Sequence, residues 1–138
     1  MRIMAIDYGD AHTGIAISDP TGFLAGFTTV INAYRPEVVA EQVVALAKEH
    51  GVEELVLGHP INMDGTRGPR SEKAQAMKAL LEETTSLPVV LWDERRTTID
   101  AHQILMNSGK NAKKRKKVVD AVAATLILEG YLTYKKSH

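Results

Sequence analysis

The stretch Arg2-Ile3-Met4-Ala5-Ile6-Asp7-Tyr8-Gly9-Asp10, with Thr13-Gly14-Ile15-Ala16-Ile17-Ser18 close behind it, decides the fold. Two short apolar runs flank Asp7, Tyr8, Gly9 and Asp10, residues with turn chemistry, and Asp19-Pro20 stops the second run; the segment reads as a β-hairpin. Working outward, Ala25 to Ile31 is a third strand. Pro36 opens a helix in which Val39, Val43, Leu46 and Ala47 recur at helical spacing until Gly51. Leu55 to Leu57 has the character of a buried strand. A long Gly/Pro loop from Gly58 to Arg70 then leads to a second helix from about Ser71 to Glu83, and loops of this length in compact domains are often functional. Pro88 to Trp92 reads as the last strand and runs into Asp93-Glu94. Thr97-Thr98-Ile99-Asp100 has the form of a capping box, which predicts a helix from there to Ser108 with Gly109 as its stop, and a final helix is expected from near Val118. Hairpin strands followed by strands that alternate with helices indicate an α/β domain built on a mixed sheet.

Composition narrows the chemistry. The 138 residues fit one domain, spanning 1–138, and a chain of this length buries enough surface to need no disulfide or structural zinc. There is no cysteine, and the five histidines form no H-E-x-x-H pair, so thiolate and zinc-protease mechanisms are set aside. The apolar run at the N-terminus is far too short for a signal peptide or a membrane span, which gives the expectation of a soluble cytoplasmic protein with no membrane partner. Net charge is zero, yet the charge is segregated. Residues 1–109 carry nine Lys/Arg against fifteen Asp/Glu, whereas residues 110–138 carry eight against two. Lys110, Lys113, Lys114, Arg115, Lys116 and Lys117 supply most of that excess, and such a run suits a polyanion, although a solvated loop has the same composition.

Ligands of open sheets bind beyond the carboxyl ends of strands, and two of the best strands here end in acids. Asp7 follows an apolar strand and is itself followed by Gly9 and Gly14; as a plain turn residue it needs no function. Glu94 follows Val89-Val90-Leu91-Trp92-Asp93 and precedes Arg95-Arg96, which also suits a surface ion-pair cluster. Asp120 lies in an almost wholly apolar helical segment, Val118 to Leu128, where a carboxylate is costly to bury unless it is paired, bound to a metal, or satisfied by the first turn of the helix. Together, three carboxylates without His or Cys partners form an oxygen-only donor set for hard cations such as Mg2+ or Mn2+. Two such ions activate water and stabilise a leaving oxygen at a phosphodiester.

Four motifs in order, Asp7-Tyr8-Gly9 with Gly14-Ile15-Ala16-Ile17-Ser18-Asp19, Gly58-His59-Pro60-Ile61-Asn62-Met63-Asp64-Gly65, Asp93-Glu94-Arg95-Arg96-Thr97-Thr98 and Lys116-Lys117-Val118-Val119-Asp120-Ala121-Val122-Ala123-Ala124, resemble the YqgF/RuvX family over nearly the whole chain. These are Holliday-junction-resolvase-like proteins, also described as pre-16S rRNA nucleases. The resemblance implies a ribonuclease H-like fold: a five-stranded mixed sheet, three antiparallel strands and then two parallel ones, flanked by helices. It further implies a metal-dependent nuclease in which Asp7, Glu94 and Asp120 hold two Mg2+ or Mn2+ ions, Asp7 bridging them. The implied substrates are structured RNA such as pre-16S rRNA, in or out of a ribosomal particle, or branched DNA, for a monomer or homodimer. Two positions depart from the family pattern: His12 stands in place of Arg, and Arg96 in place of Leu. Arg70, Arg95, Arg96 and the run Lys113, Lys114, Arg115, Lys116 and Lys117 are the candidate backbone contacts. With one Trp and two Phe, the chain is poorly equipped for serial base stacking.

Two other classes compete with the nuclease. Asp7-x-Gly9 followed by Gly14 also resembles the first phosphate loop of the actin and sugar-kinase superfamily, but those enzymes clamp nucleotide between two such domains and this chain supplies one. A non-catalytic RNA- or DNA-binding factor is the other.

Overall fold

The computed structural model describes residues 1–21, 25–60, 65–94 and 112–137, with side chains in the last segment described from Val122 to Lys136. The elements are β1 (Ile3–Asp7), β2 (His12–Ser18), β3 (Ala25–Asn32), α1 (Pro36–His50), β4 (Glu54–His59), α2 (Pro69–Thr84), β5 (Val89–Asp93) and α3 (Ala112–Ser137). One sheet contains all five strands in the order β3-β2-β1-β4-β5. β1 pairs antiparallel with β2, and β2 with β3, whereas β4 runs parallel to β1 and to β5. This is the mixed sheet expected, three antiparallel strands and then two parallel.

Strand alternation divides the core between the two faces. Met4, Ile6, Ile15, Ile17, Leu55 and Leu57 pack beneath α1 and α2 with Val39, Val43, Met77 and Leu81. Ile3, Ala5, Ala16, Val56 and Trp92 point the other way and pack beneath α3 with Ala124, Ile127, Leu128 and Tyr131. Side chains of a strand alternate between faces, so a strand covered on both sides must be apolar throughout. That accounts for the unbroken runs Ile3 to Ile6 and Leu55 to Leu57. α1 starts at Pro36 and ends at Gly51, whose φ of 66° is the left-handed conformation that glycine adopts without a Cβ clash.

Most strand ends differ from the sequence reading by about one residue; three larger differences bear on the site, each for a local reason. Gly58 and His59 belong to β4 rather than to the following loop, because the parallel ladder to β5 continues through Gly58↔Trp92 and His59↔Asp93. Arg70 is not at the end of a loop: α2 begins at Pro69, which needs no N–H partner at a helix start, and Gly68 precedes it. α3 begins at Ala112, six residues before the expected start, so Lys113 to Lys117 form its first turns; Lys, Arg and Ala are strong helix formers and the charge run conceals this. As a result Asp120 is the ninth residue of the helix, and the reading of it as a first-turn acid is overturned. The expected helix from Thr97 to Ser108 lies outside the described residues.

Candidate active site

Because β1, β4 and β5 are parallel, their carboxyl ends meet at one edge of the sheet. Asp7 closes β1, Gly58 and His59 close β4, and Asp93 with Glu94 closes β5. Parity then assigns faces. Asp7 follows Ile3 and Ala5 in phase, and Gly58 follows Val56, so both lie on the face covered by α3. Glu94, just past the end of β5, joins them through its contact with Gly58. Side chains at two strand ends are thus brought to one edge and one face, as the sequence reading required of Asp7 and Glu94.

Gly58 is where this face closes most tightly. A Cβ at that position would come within 2.6 Å of Ile127 Cδ1 and 3.2 Å of the Glu94 carboxyl carbon and Oε1. The absent side chain lets the helix and the carboxylate approach β4 together. Burial raises the pKa of Glu94 above the ordinary carboxylate range, neighbouring Asp93 raises it further, and the positive charge of Arg70 works against both. Arg70, the second residue of α2, is exposed, and its charge reaches Glu94. Asp7 is half-buried and level with Gly14 of β2.

The third carboxylate is carried by α3. Ile127 meets Gly58 at the carboxyl end of β4, while Lys135 Nζ lies 3.5 Å from Glu54 Oε1 at the other end of that strand. Tyr131 hydrogen-bonds to Glu54 as well, and that bond and burial both raise its phenol pKa. α3 therefore runs antiparallel to β4, with its N-terminal half directed at the edge that bears Asp7 and Glu94. Asp120 precedes Ile127 by two turns, about 10 Å along the axis, and by spacing shares the stripe of Ala124, Ile127 and Tyr131. Its side chain, and those of Lys113, Lys114, Arg115, Lys116 and Lys117, lie outside the described residues, as do Arg95 and Arg96. Among the described residues no three His, Cys, Asp or Glu side chains group around a metal position. Nor, among them, is any helix long and apolar enough to cross a membrane.

Several contacts were not visible in the sequence. His59, in phase with Leu57, faces α2 and is buried there; its Nε2 and Ser71 Oγ share a 2.6 Å hydrogen bond. Gln75 Nε2 donates to the same oxygen at 3.2 Å, leaving the Ser71 hydroxyl proton for His59. Lys73 and Asp10 form an ion pair at 2.6 Å across the mouth of a cavity lined also by Tyr8, Gly9 and Arg70. His12 Nδ1 lies 2.6 Å from Asn32 Oδ1, so at this departure from the family pattern the ring pairs with the neighbouring strand. The only advance signal for the first of these was a histidine between the strand-ending Gly58 and Pro60.

Comparison with known proteins identifies the family and the fold. Residues 1–134 match RuvX, a family described as Holliday junction resolvase. The chain belongs to the RuvX family. It is 44% identical over 135 residues to a protein of Halothermothrix orenii named "Putative pre-16S rRNA nuclease", covering 98% of this chain and 96% of that one. A Bacillus subtilis protein of the same name is 43% identical over 134 residues, covering 96% and 97%. Among solved structures, T. thermophilus RuvC in complex with a Holliday junction substrate superposes with a TM-score of 0.65 at 15% identity, covering 98% of this chain and 96% of that one. The RuvX chain thus shares the RuvC fold, which is ribonuclease H-like.

Proposed function

We propose that this RuvX protein is a metal-dependent nuclease of the cytoplasm that hydrolyses phosphodiester bonds, with pre-16S rRNA, free or within a ribosomal particle, as its substrate. The observation that carries the reading is the convergence of Asp7 and Glu94 on one edge and one face of the sheet, with α3 directing Asp120 toward the same edge. The substrate is taken from the names of the relatives.

The donor set fits a divalent metal. Its atoms are carboxylate oxygens alone, the preference of Mg2+ and Mn2+. Glu94 is pressed against Gly58 and Ile127, where its ionised form is poorly hydrated and a cation replaces the missing water. Asp7, Glu94 and Asp120 are the residues that would hold two ions, which when bound supply an activated water and stabilisation of the leaving oxygen. The protein contributes position. The backbone of Asp7 is held by its pairing with Gly14 in the sheet, and the Glu94 carboxylate packs against Gly58. Arg70 draws phosphate toward the edge, and the basic first turns of α3 add sequence-independent attraction immediately before Asp120.

The test is cleavage of end-labelled structured RNA and of a four-way DNA junction with Mg2+, Mn2+ or EDTA, comparing wild type with Asp7→Asn. The expected result is metal-dependent cutting of the RNA that the variant loses by at least 100-fold. The RuvC fold supports branched DNA as a second substrate, and preferential cutting of the junction selects it. Binding without cutting under any metal favours a non-catalytic factor.

A further inference from the structure

A cavity of about 210 Å³ opens beyond the carboxyl end of β1, lined by Tyr8, Gly9, Asp10, Arg70 and Lys73. It lies on the opposite side of the sheet edge from Asp7 and Glu94. Tyr8 packs against the core beneath α1 and α2, and Arg70 and Lys73 both come from α2. Its volume falls below the roughly 300 Å³ at which pockets begin to enclose drug-sized ligands, so it suits a group rather than a whole nucleotide. Among the described residues that line it, two are cations and one is an acid, Asp10, which is bound to one of them at 2.6 Å. Both partners of that pair are largely exposed, at 77% for Asp10 and 53% for Lys73. Ion pairs so open to water are weak and yield readily to a stronger anion.

We propose that this cavity is a second phosphate site, which takes the backbone phosphate next to the one at the carboxylates, and that Asp10 occupies Lys73 until that phosphate arrives. The proposal rests on the nuclease reading, since it needs a polynucleotide crossing the sheet edge. A strand that crosses there presents successive phosphates to the two sides of β1: the scissile one on the α3 side, its neighbour on the α2 side. Arg70 has reach in both directions, because its charge acts on Glu94 and on Asp10 alike. Among the described groups, Lys73 acts on Asp10 and Tyr8, both of which line the cavity. It is therefore the residue that reports on the second site, and Asp10 is the anion a phosphate must displace.

The two residues predict effects of opposite sign. Equilibrium binding of a structured RNA and of a four-way DNA junction is measured in EDTA across a potassium chloride series, for wild type, Lys73→Ala, Asp10→Asn and the double variant. Lys73→Ala is expected to weaken binding and to reduce the slope of log K against log salt by about 0.7 to 0.9, the value of one phosphate contact. Over a fourfold rise in salt that amounts to about 3-fold less salt sensitivity. Asp10→Asn is expected to tighten binding, with a smaller gain in the Lys73→Ala background because there is no longer a lysine to release. An unchanged slope in Lys73→Ala, or an equal gain from Asp10→Asn in both backgrounds, overturns the second site while leaving the nuclease reading intact where wild type still cuts. Failure of wild type to bind either nucleic acid overturns both.

Discussion

Gly58 shows how one residue shapes the site. Its hydrogen side chain lets Ile127 of α3 and the Glu94 carboxylate share the same surface of β4. Gly58→Ala forces both to move. Ile127 can shift the end of a flexible side chain, so the stability cost should be that of modest overpacking, about 1–3 kcal/mol. Displacement of Glu94 is a different matter: its carboxyl must yield by a few tenths of an ångström, and misplacement at a reacting centre is costly, about 100-fold for 1 Å. We expect catalysis to fall by about 10-fold with KM little changed, read by single-turnover cleavage beside thermal melts; a rate equal to wild type would remove Gly58 from the positioning of Glu94. Glu94 itself carries a second prediction. Burial raises its pKa, so the folded protein holds this proton more tightly than the unfolded chain does, and ionisation opposes folding when no metal is present. Glu94→Gln should therefore abolish cleavage and yet raise the melting temperature in EDTA at pH 7.5. The sign follows from linkage: wild type recovers stability as pH falls from the raised folded pKa toward the ordinary carboxylate value, and the difference from the variant vanishes near pH 4.5. A variant that melts lower than wild type at pH 7.5 in EDTA contradicts this.

Between elements, the bond from His59 to Ser71 ties the end of β4 to the first turn of α2, the turn that carries Arg70. Ser71→Ala leaves a buried imidazole nitrogen without its partner and should cost about 1–3 kcal/mol in urea unfolding. The histidine pKa lies below its usual value, chiefly through burial and further through the charge of Arg67, against an opposing pull from Asp93. Its contribution to stability is complete above the unfolded value near 6.5 and is lost as pH falls from there through the folded pKa. Wild type should thus lose more stability than His59→Gln between pH 7.5 and pH 5, measured as the difference in urea midpoints. This tie also marks the limit of what the sequence discloses. Apart from the start of α3, periodicity and turn residues located the described strands and helices to within a few residues, because core residues must repeat at 2 or 3.6 whatever their partners. It brought Asp7 and Glu94 to one edge for the same reason. It could not reveal that His59 reaches Ser71 or that Lys73 reaches Asp10, 12 and 63 residues apart, because such contacts depend on how α2 lies on the sheet. Nor did it recognise Lys113 to Lys117 as helix, since a run of like charge looks the same in a loop.

At the scale of the whole molecule, zero net charge is the sum of two opposed regions. The acids at the sheet edge suit a metal and repel a phosphate, while the cations that attract one are concentrated in the first turns of α3. The same helix carries both Lys113 to Lys117 and Asp120, so under the proposed function a strand held by the former would lie along the axis toward the latter. The arrangement has an electrostatic cost in the free protein. Five cations near a helix N-terminus oppose the positive end of its dipole. A bound polyanion removes that repulsion, so affinity and helix stability are coupled through this segment. Replacing Lys113, Lys114, Arg115, Lys116 and Lys117 together by Ala separates the two effects, since Ala favours helix at least as strongly as Lys or Arg. Helix content by circular dichroism should be kept, and thermal stability in the absence of nucleic acid should not fall. The slope of log K against log salt for structured RNA should drop by at most about 4.5, the limit if every one of the five cations neutralises a phosphate. A retained helix with an unchanged slope would place the nucleic acid elsewhere on the protein. A slope reduced by about 2 or more, with the metal dependence of cleavage unaltered, assigns attraction to the helix and chemistry to the sheet edge.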